Sequence, residues 1–62
     1  MNLKRRTQLR KSIDLLDNVI CDEQNAYDNM PENLQDSEKG EIMEEGIDNL
    51  NEARDILEEM LN

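Results

Sequence analysis

The stretch DNMPENLQDSEKGE, residues 28 to 41, separates two apolar repeats of helical spacing and decides the fold. It holds the only proline of the chain, Pro31, and one of its two glycines, Gly40. A residue that precedes proline is pushed out of the helical region, so a helix cannot continue through Met30 and Pro31. The stretch therefore predicts a connector over about 29–37, between a helix over about 3–28 and a helix over about 38–61.

Each predicted helix carries one apolar stripe, because large apolar side chains recur at steps of three, four and seven residues. Asn2 or Thr7 is expected to cap the first helix, and Asp36 or Ser37 the second. Gly46 lies near the second stripe, where it is expected to let the two helices approach closely. The stripes are Leu9, Ile13, Leu16, Ile20 and Tyr27 in the first helix, and Met43, Ile47, Leu50, Leu57 and Leu61 in the second.

The short length limits the core that one chain can bury. A chain of 62 residues buries only about 60% of its unfolded surface. With one cysteine and no histidine, it can form neither an internal disulfide nor a usual zinc site. Association with another chain is the remaining source of stability. The sequence therefore predicts an all-α, antiparallel two-helix hairpin that dimerises into a four-helix bundle.

Two charged residues fall inside the apolar stripes and predict how two hairpins pack. Glu23 lies about 20° from Leu16 on a helical wheel, and Arg54 lies about 40° from Leu50. A charge in an apolar stripe is costly unless it is paired. Glu23 and Arg54 are at different levels of one hairpin, so we expect them to pair between chains whose connectors lie at opposite ends. The alternative is that both side chains reach the surface. The predicted dimer interface is Leu9, Ile13, Leu16, Ile20, Glu23, Met43, Ile47, Leu50, Arg54 and Leu57.

Charge is distributed unevenly along the chain. The net charge is −9, from sixteen acidic and seven basic residues. Five of the bases lie in the first eleven residues, and in an antiparallel hairpin they would pair with acids near the end of the second helix. Contact of this basic segment with nucleic acid or an anionic membrane surface is the alternative. The bases are Lys4, Arg5, Arg6, Arg10 and Lys11, and the acids are Glu52, Asp55, Glu58 and Glu59.

Carboxylates cover the outer surface of the second predicted helix. Such a row can imitate the phosphate track of nucleic acid and occupy the basic groove of a protein, although it can also serve only as a solubilising face. The connector is the other candidate surface, unless it is only a capped turn. The candidate partner-binding residues are Glu41, Glu44, Glu45 and Asp48 on the helix, and Met30, Pro31 and Leu34 in the connector.

Nothing in the sequence predicts catalysis. Without histidine, general acid–base work would fall to carboxylates that are expected to be solvated. Cys21 lies well off the first apolar stripe, and Met30 and Asn33 occupy positions where a calcium loop needs other residues. We therefore expect no enzyme activity, no metal, no cofactor and no small-molecule substrate. The acidic surface disfavours nucleic acid, and no segment has the composition of a membrane span or a secretory signal.

Residues 21–53 resemble a group of short acidic helical proteins encoded by phages, prophages and plasmids. The matching motifs are Asp22-Glu23-Gln24, Tyr27-Asp28-Asn29, Met30-Pro31-Glu32, Leu34-Gln35 and Ser37-Glu38-Lys39-Gly40-Glu41. The resemblance implies a helical hairpin encoded by a mobile element and located in the cytoplasm of a bacterial host; it implies no reaction. Together with the acidic row, it predicts a stoichiometric inhibitor that occupies a basic surface of a host defence protein. The alternative is a structural or assembly protein of the element.

Overall fold

The computed structural model describes all 62 residues, which form three helices and no strand. Helix α1 is Leu3–Asp28, α2 is Glu32–Gln35 and α3 is Glu38–Glu59. The two long helices pack side by side and run antiparallel, since Arg6 contacts Leu61 near one end and Asp17 contacts Arg54 further along. The all-helical fold predicted from the sequence is confirmed. The molecule is elongated, with dimensions of 48 × 15 × 13 Å.

Side-chain oxygens cap both long helices at their first turn. Asn2, rather than Thr7, caps α1: its Oδ1 accepts a hydrogen bond of 2.9 Å from the backbone N–H of Arg5. Ser37, rather than Asp36, caps α3: its Oγ accepts from the backbone N–H of Gly40. Each cap has the extended backbone that lets a short side chain reach amides without a partner in the helix.

The connector is held tightly against both long helices. Pro31 precedes α2, a position where its missing N–H removes no helical hydrogen bond. The side-chain amide of Gln35 donates a hydrogen bond of 2.8 Å to the carbonyl oxygen of Tyr27, in the last turn of α1. At Gly40 in α3, a Cβ atom would lie only 2.1 Å from the carbonyl oxygen of Gln35 and 2.6 Å from that of Leu34. Glycine is therefore required where α3 passes the connector.

The close approach expected at Gly46 is absent, so that prediction was wrong. A Cβ atom placed on Gly46 would meet nothing within 4 Å. The two predicted stripes face each other as a seam between α1 and α3, but only Ile13 and Ile47 are buried, with exposed fractions of 5% and 6%. The other seam residues, such as Leu16 and Leu50, are half-buried. The core of one hairpin therefore consists of only two buried side chains, those of Ile13 and Ile47.

Candidate protein-binding surfaces

An acidic surface runs along the outer side of α3. Its residues lie between the apolar positions of the seam, on the part of α3 that points away from α1. Every one of these side chains is exposed, and α3 fixes them on a single rigid element about 33 Å long. The acidic surface comprises Glu41, Glu44, Glu45, Asp48, Glu52, Asp55 and Glu59.

The basic start of the chain does not neutralise this surface. All three ion pairs of the chain belong to Arg54. The expected pairing of Lys4, Arg5, Arg6, Arg10 and Lys11 with the acids near the end of α3 was therefore wrong. Arg6 instead donates to the backbone carbonyl of Leu61. Exposed pairs of long side chains gain little free energy in water, so nothing holds the other bases against α3.

Arg54 links α3 to α1 within one hairpin, at the edge of the seam. Its Nε donates to Asp17 Oδ1 and its Nη1 donates to Glu58 Oε2, while Asp55 Oδ1 lies 3.5 Å from Nη1. These hydrogen bonds, with that to Asp17 first, raise the pKa of Arg54 above its usual value, so the guanidinium stays charged. The expected pair between Arg54 and Glu23 of a second chain loses its basis, because Arg54 is satisfied within its own chain and Glu23 is exposed. Asp17, at the edge of the first stripe, is the partner that the helical wheel did not single out.

The negative field of the acidic surface reaches the connector end of the seam. Tyr27 is half-buried there. The pKa of its hydroxyl is raised from 10.0, chiefly by loss of solvent and next by the negative charges of Glu44, Asp36 and Asp28. The phenol is therefore protonated at neutral pH and carries no charge of its own.

The connector offers less surface than the sequence suggested. Of its three candidate residues, Met30 is half-buried, whereas Pro31 and Leu34 are exposed. Of Leu34, 40% is exposed. Glu32 and Asn33, which are also exposed, lie between the two exposed apolar residues. The connector therefore has no continuous apolar patch.

An apolar face, which the sequence reasoning did not assign to a partner, lies beside the seam. Its large side chains are between 47% and 66% exposed. In the sequence, each member stands one residue before a seam position, so a second stripe of the same spacing accompanies the first. That repeated spacing is the signal in the sequence that could have revealed this face. The apolar face comprises Leu15 and Val19 of α1 and Ile42, Ala53, Ile56 and Met60 of α3.

A shallow cleft of about 240 Å³ opens between the helices at the end opposite the connector. Arg10 and Asp14 of α1 face Arg54 and Glu58 of α3 across it, and the polar groups of Arg54 and Glu58 are already engaged with each other. No group of three acidic or cysteine side chains converges as a metal site would require. Cys21 is exposed.

Comparison of the chain with models of protein families, with curated proteins and with solved structures finds no match. None of the three helices has an apolar segment of the length that crossing a membrane requires.

Proposed function

We propose that this chain is a protein-binding protein whose acidic surface occupies a basic surface of its partner. One observation carries the proposal: of the seven carboxylates that define the acidic surface, only Asp55 has a cationic neighbour within the chain. The other six form no ion pair within the chain and lie in fixed positions on one helix. A surface of this kind lowers the free energy of binding to a complementary basic surface, and it attracts that surface from a distance.

The spacing of the carboxylates supports imitation of nucleic acid. Successive residues of α3 rise by about 1.5 Å, so carboxylates three or four residues apart are separated by roughly 4.5–6 Å along the helix axis, of the same order as the rise of about 3.4 Å between phosphates of one DNA strand. A partner that uses a basic groove for phosphates can therefore accept α3 instead. The proposed action is stoichiometric, since it needs contact and no reaction.

The resemblance to proteins of phages, prophages and plasmids supports a host defence protein as the partner, and inhibition as the result. Under this proposal, the chain is encoded by a mobile element and acts in the cytoplasm of its bacterial host. A second candidate function, as a structural or assembly protein of the element, is favoured by the exposed apolar face, which suits a permanent contact better than a salt-sensitive one.

We also propose that the chain works as a homodimeric four-helix bundle. The support is the thin core, since two buried isoleucines are few for a stable chain of this length. A second hairpin would cover the half-buried seam residues and supply the missing buried area.

The proposed function is tested by reversing charge on the acidic surface. The tagged protein first captures its partner from host lysate, and mass spectrometry identifies it. The variant with Glu44→Lys, Glu45→Lys and Asp48→Lys should then lose binding to that partner by more than about tenfold, while circular dichroism shows unchanged helicity. Wild-type binding should also weaken steeply with salt.

A matched control reverses three acids outside the acidic surface, with Asp28→Lys, Glu32→Lys and Asp36→Lys, and so changes the net charge equally. This control should keep most of the affinity. Equal loss in both variants would mean that only net charge matters. Normal binding by the first variant would overturn the proposal, as would a biological effect at far less than one chain per target.

A further inference from the structure

The proposed homodimer can be taken further, because the structure distinguishes the surfaces available to a second copy. We infer that the second copy packs on the apolar face, with its connector at the opposite end. The two-fold axis then lies perpendicular to the helices, near the level of Asp17. This inference rests on the proposed self-association, but not on the proposed role of the acidic surface.

Both halves of the apolar face lie on the same side of the hairpin. Val19 precedes the seam residue Ile20 by one position, and Ile56 precedes Leu57 by one position. Both are therefore rotated from the seam by about 100° in the same sense. In an antiparallel pair of helices, an equal rotation brings the two positions to the same side. The exposed apolar residues of α1 and α3 consequently form one surface, and the acidic surface lies next to it, on the outer side of α3.

The two halves of the face are also centred at one level. Leu15 and Val19 are symmetric about residue 17, and the stripe from Ile42 to Met60 is symmetric about residue 51. Asp17 is paired with Arg54, which is three residues from position 51. Three residues correspond to about 4.5 Å, less than one turn of helix. A two-fold axis perpendicular to the helices sets α1 against α1 of the second copy and α3 against α3. Both halves of the face must therefore be centred at the level of the axis.

Charge selects the orientation of the second copy. Residues 22–48, at the connector end, contain ten acidic side chains and only one basic side chain, Lys39. The rest of the chain contains six acidic and six basic side chains. Placing the two connectors at the same end would bring two strongly negative halves together, whereas placing them at opposite ends sets each negative half beside a neutral one. Like charges in proximity disfavour the first arrangement.

The unfilled space at Gly46 fits the second copy. Gly46 belongs to the stripe of the apolar face, at four residues from Ile42 and seven from Ala53, and the hairpin itself places no atom where its Cβ would be. With the two-fold axis at position 51 of α3, Gly46 lies opposite Ile56 of the partner subunit. A large side chain then enters the space over a glycine, as knobs enter holes between packed helices. Within one chain, a glycine in the middle of a helix is only unfavourable.

The surface is tested by sedimentation of the wild type and two variants. The wild type at about 50 µM should sediment at twice its chain mass of 7.3 kDa. The variant with Val19→Gln and Ile56→Gln should raise the dissociation constant of the dimer more than about tenfold. The matched control is Leu3→Gln, since Leu3 is 80% exposed but lies on the opposite flank of α1 from Val19; it should stay dimeric. A monomeric wild type, a dimeric double variant or a monomeric control would each overturn the inference.

The orientation is tested by the distance between two spin labels. On a Cys21→Ser background, Asn33→Cys places one label on the exposed connector of each subunit. Electron–electron resonance should give a distance of about 45 Å if the connectors lie at opposite ends, from a rise of 1.5 Å for each residue between the axis and the connector. A distance below about 25 Å, set by two adjacent hairpins, would overturn the orientation.

The acidic variant separates this inference from the proposed function. The variant with only Glu44→Lys and Asp48→Lys should lose its partner and remain a dimer, because both positions lie at least about 80° from every member of the apolar face on a helical wheel, whereas Glu45 borders that face. Partner binding by a chain that is monomeric under all conditions would remove the dimer and leave the proposed function intact.

Discussion

The two glycines of α3 lie six residues apart and have opposite surroundings. At Gly40, the connector passes so close that a Cβ atom would lie 2.1 Å from a backbone oxygen. At Gly46, a Cβ atom would have no neighbour within 4 Å. Gly40 therefore solves a packing problem inside the chain, whereas Gly46 has no role in a single hairpin. Under the proposed dimer, the second copy fills the space at Gly46, whereas the connector end is packed by its own chain.

The largest effect is expected from Gly40→Ala. The added methyl group must displace the backbone at Gln35 or Leu34, because no flexible side chain can move away in their place. We expect a loss of about 3 kcal/mol in the free energy of unfolding, as for an overpacked core. Urea denaturation followed by circular dichroism measures it. A variant as stable as the wild type would show that the connector can shift, and the contrast between the two glycines would fail.

Gly46→Ala should have the opposite sign and a smaller size. Alanine is favoured over glycine inside a helix by about 1 kcal/mol, and nothing in the hairpin obstructs its methyl group. The same denaturation experiment, at a concentration where the chain is monomeric, should show that gain. At a concentration where the dimer forms, the gain should shrink, because the methyl group then meets the second chain. A loss of stability in the monomer would contradict the open space at Gly46.

The substitution Arg54→Leu tests whether the ion pairs of Arg54 stabilise the seam. Leucine continues the apolar stripe, and it releases Asp17 and Glu58, which are partly exposed, to water. The side chains of Asp17 and Glu58 are 43% and 48% exposed, so losing their partner leaves no buried charge, and partly exposed ion pairs contribute little to stability. We therefore expect the midpoint of thermal unfolding to stay unchanged or to rise slightly, whereas Arg54→Glu should lower it by repulsion from Asp17. A clear decrease for Arg54→Leu would show that the ion pair itself holds the seam.

The smallest expected effect is the pH dependence due to Tyr27, beside the connector. Its pKa in the folded chain is above the usual 10.0, so the unfolded chain loses the phenolic proton first as the pH rises. The unfolded state then binds fewer protons, and stability contributed by Tyr27 is present below pH 10.0 and decreases above it. Denaturation of the wild type and of Tyr27→Phe at pH 9 and at pH 11 isolates this contribution. An equal decrease in both proteins would mean that Tyr27 does not contribute.

Local rules were sufficient to predict the helices. The proline at position 31 ends α1, and short polar side chains begin both long helices, so Asn2 and Ser37 were among the candidate caps before the structure was known. Tertiary details were harder, because they depend on which levels of two helices coincide. The pairing of Arg54 with Asp17 and the different roles of the two glycines could not be deduced from one helix at a time.

The acidic surface is the candidate site that the sequence located best. A carboxylate on the outer side of an amphipathic helix remains exposed whatever the packing, so Glu41, Glu44, Glu45 and Asp48 needed only the helical period. Only the structure showed that these carboxylates form no ion pair with the basic N-terminal segment. The apolar face was not predicted because a wide apolar stripe on one helix does not show which of its residues the other helix covers.

The position of the acidic surface on the outer side of α3 has a consequence for the proposed dimer. Because its two-fold axis maps α3 onto α3 of the second copy, the apolar faces are enclosed and the two acidic surfaces lie side by side along one edge of the assembly. The proposed dimer therefore presents one acidic surface with twice the carboxylates of a single chain. When a basic site of the target contacts both rows, the second contact is intramolecular, so its effective concentration rather than the bulk concentration sets the overall affinity. Weak individual contacts then give durable capture.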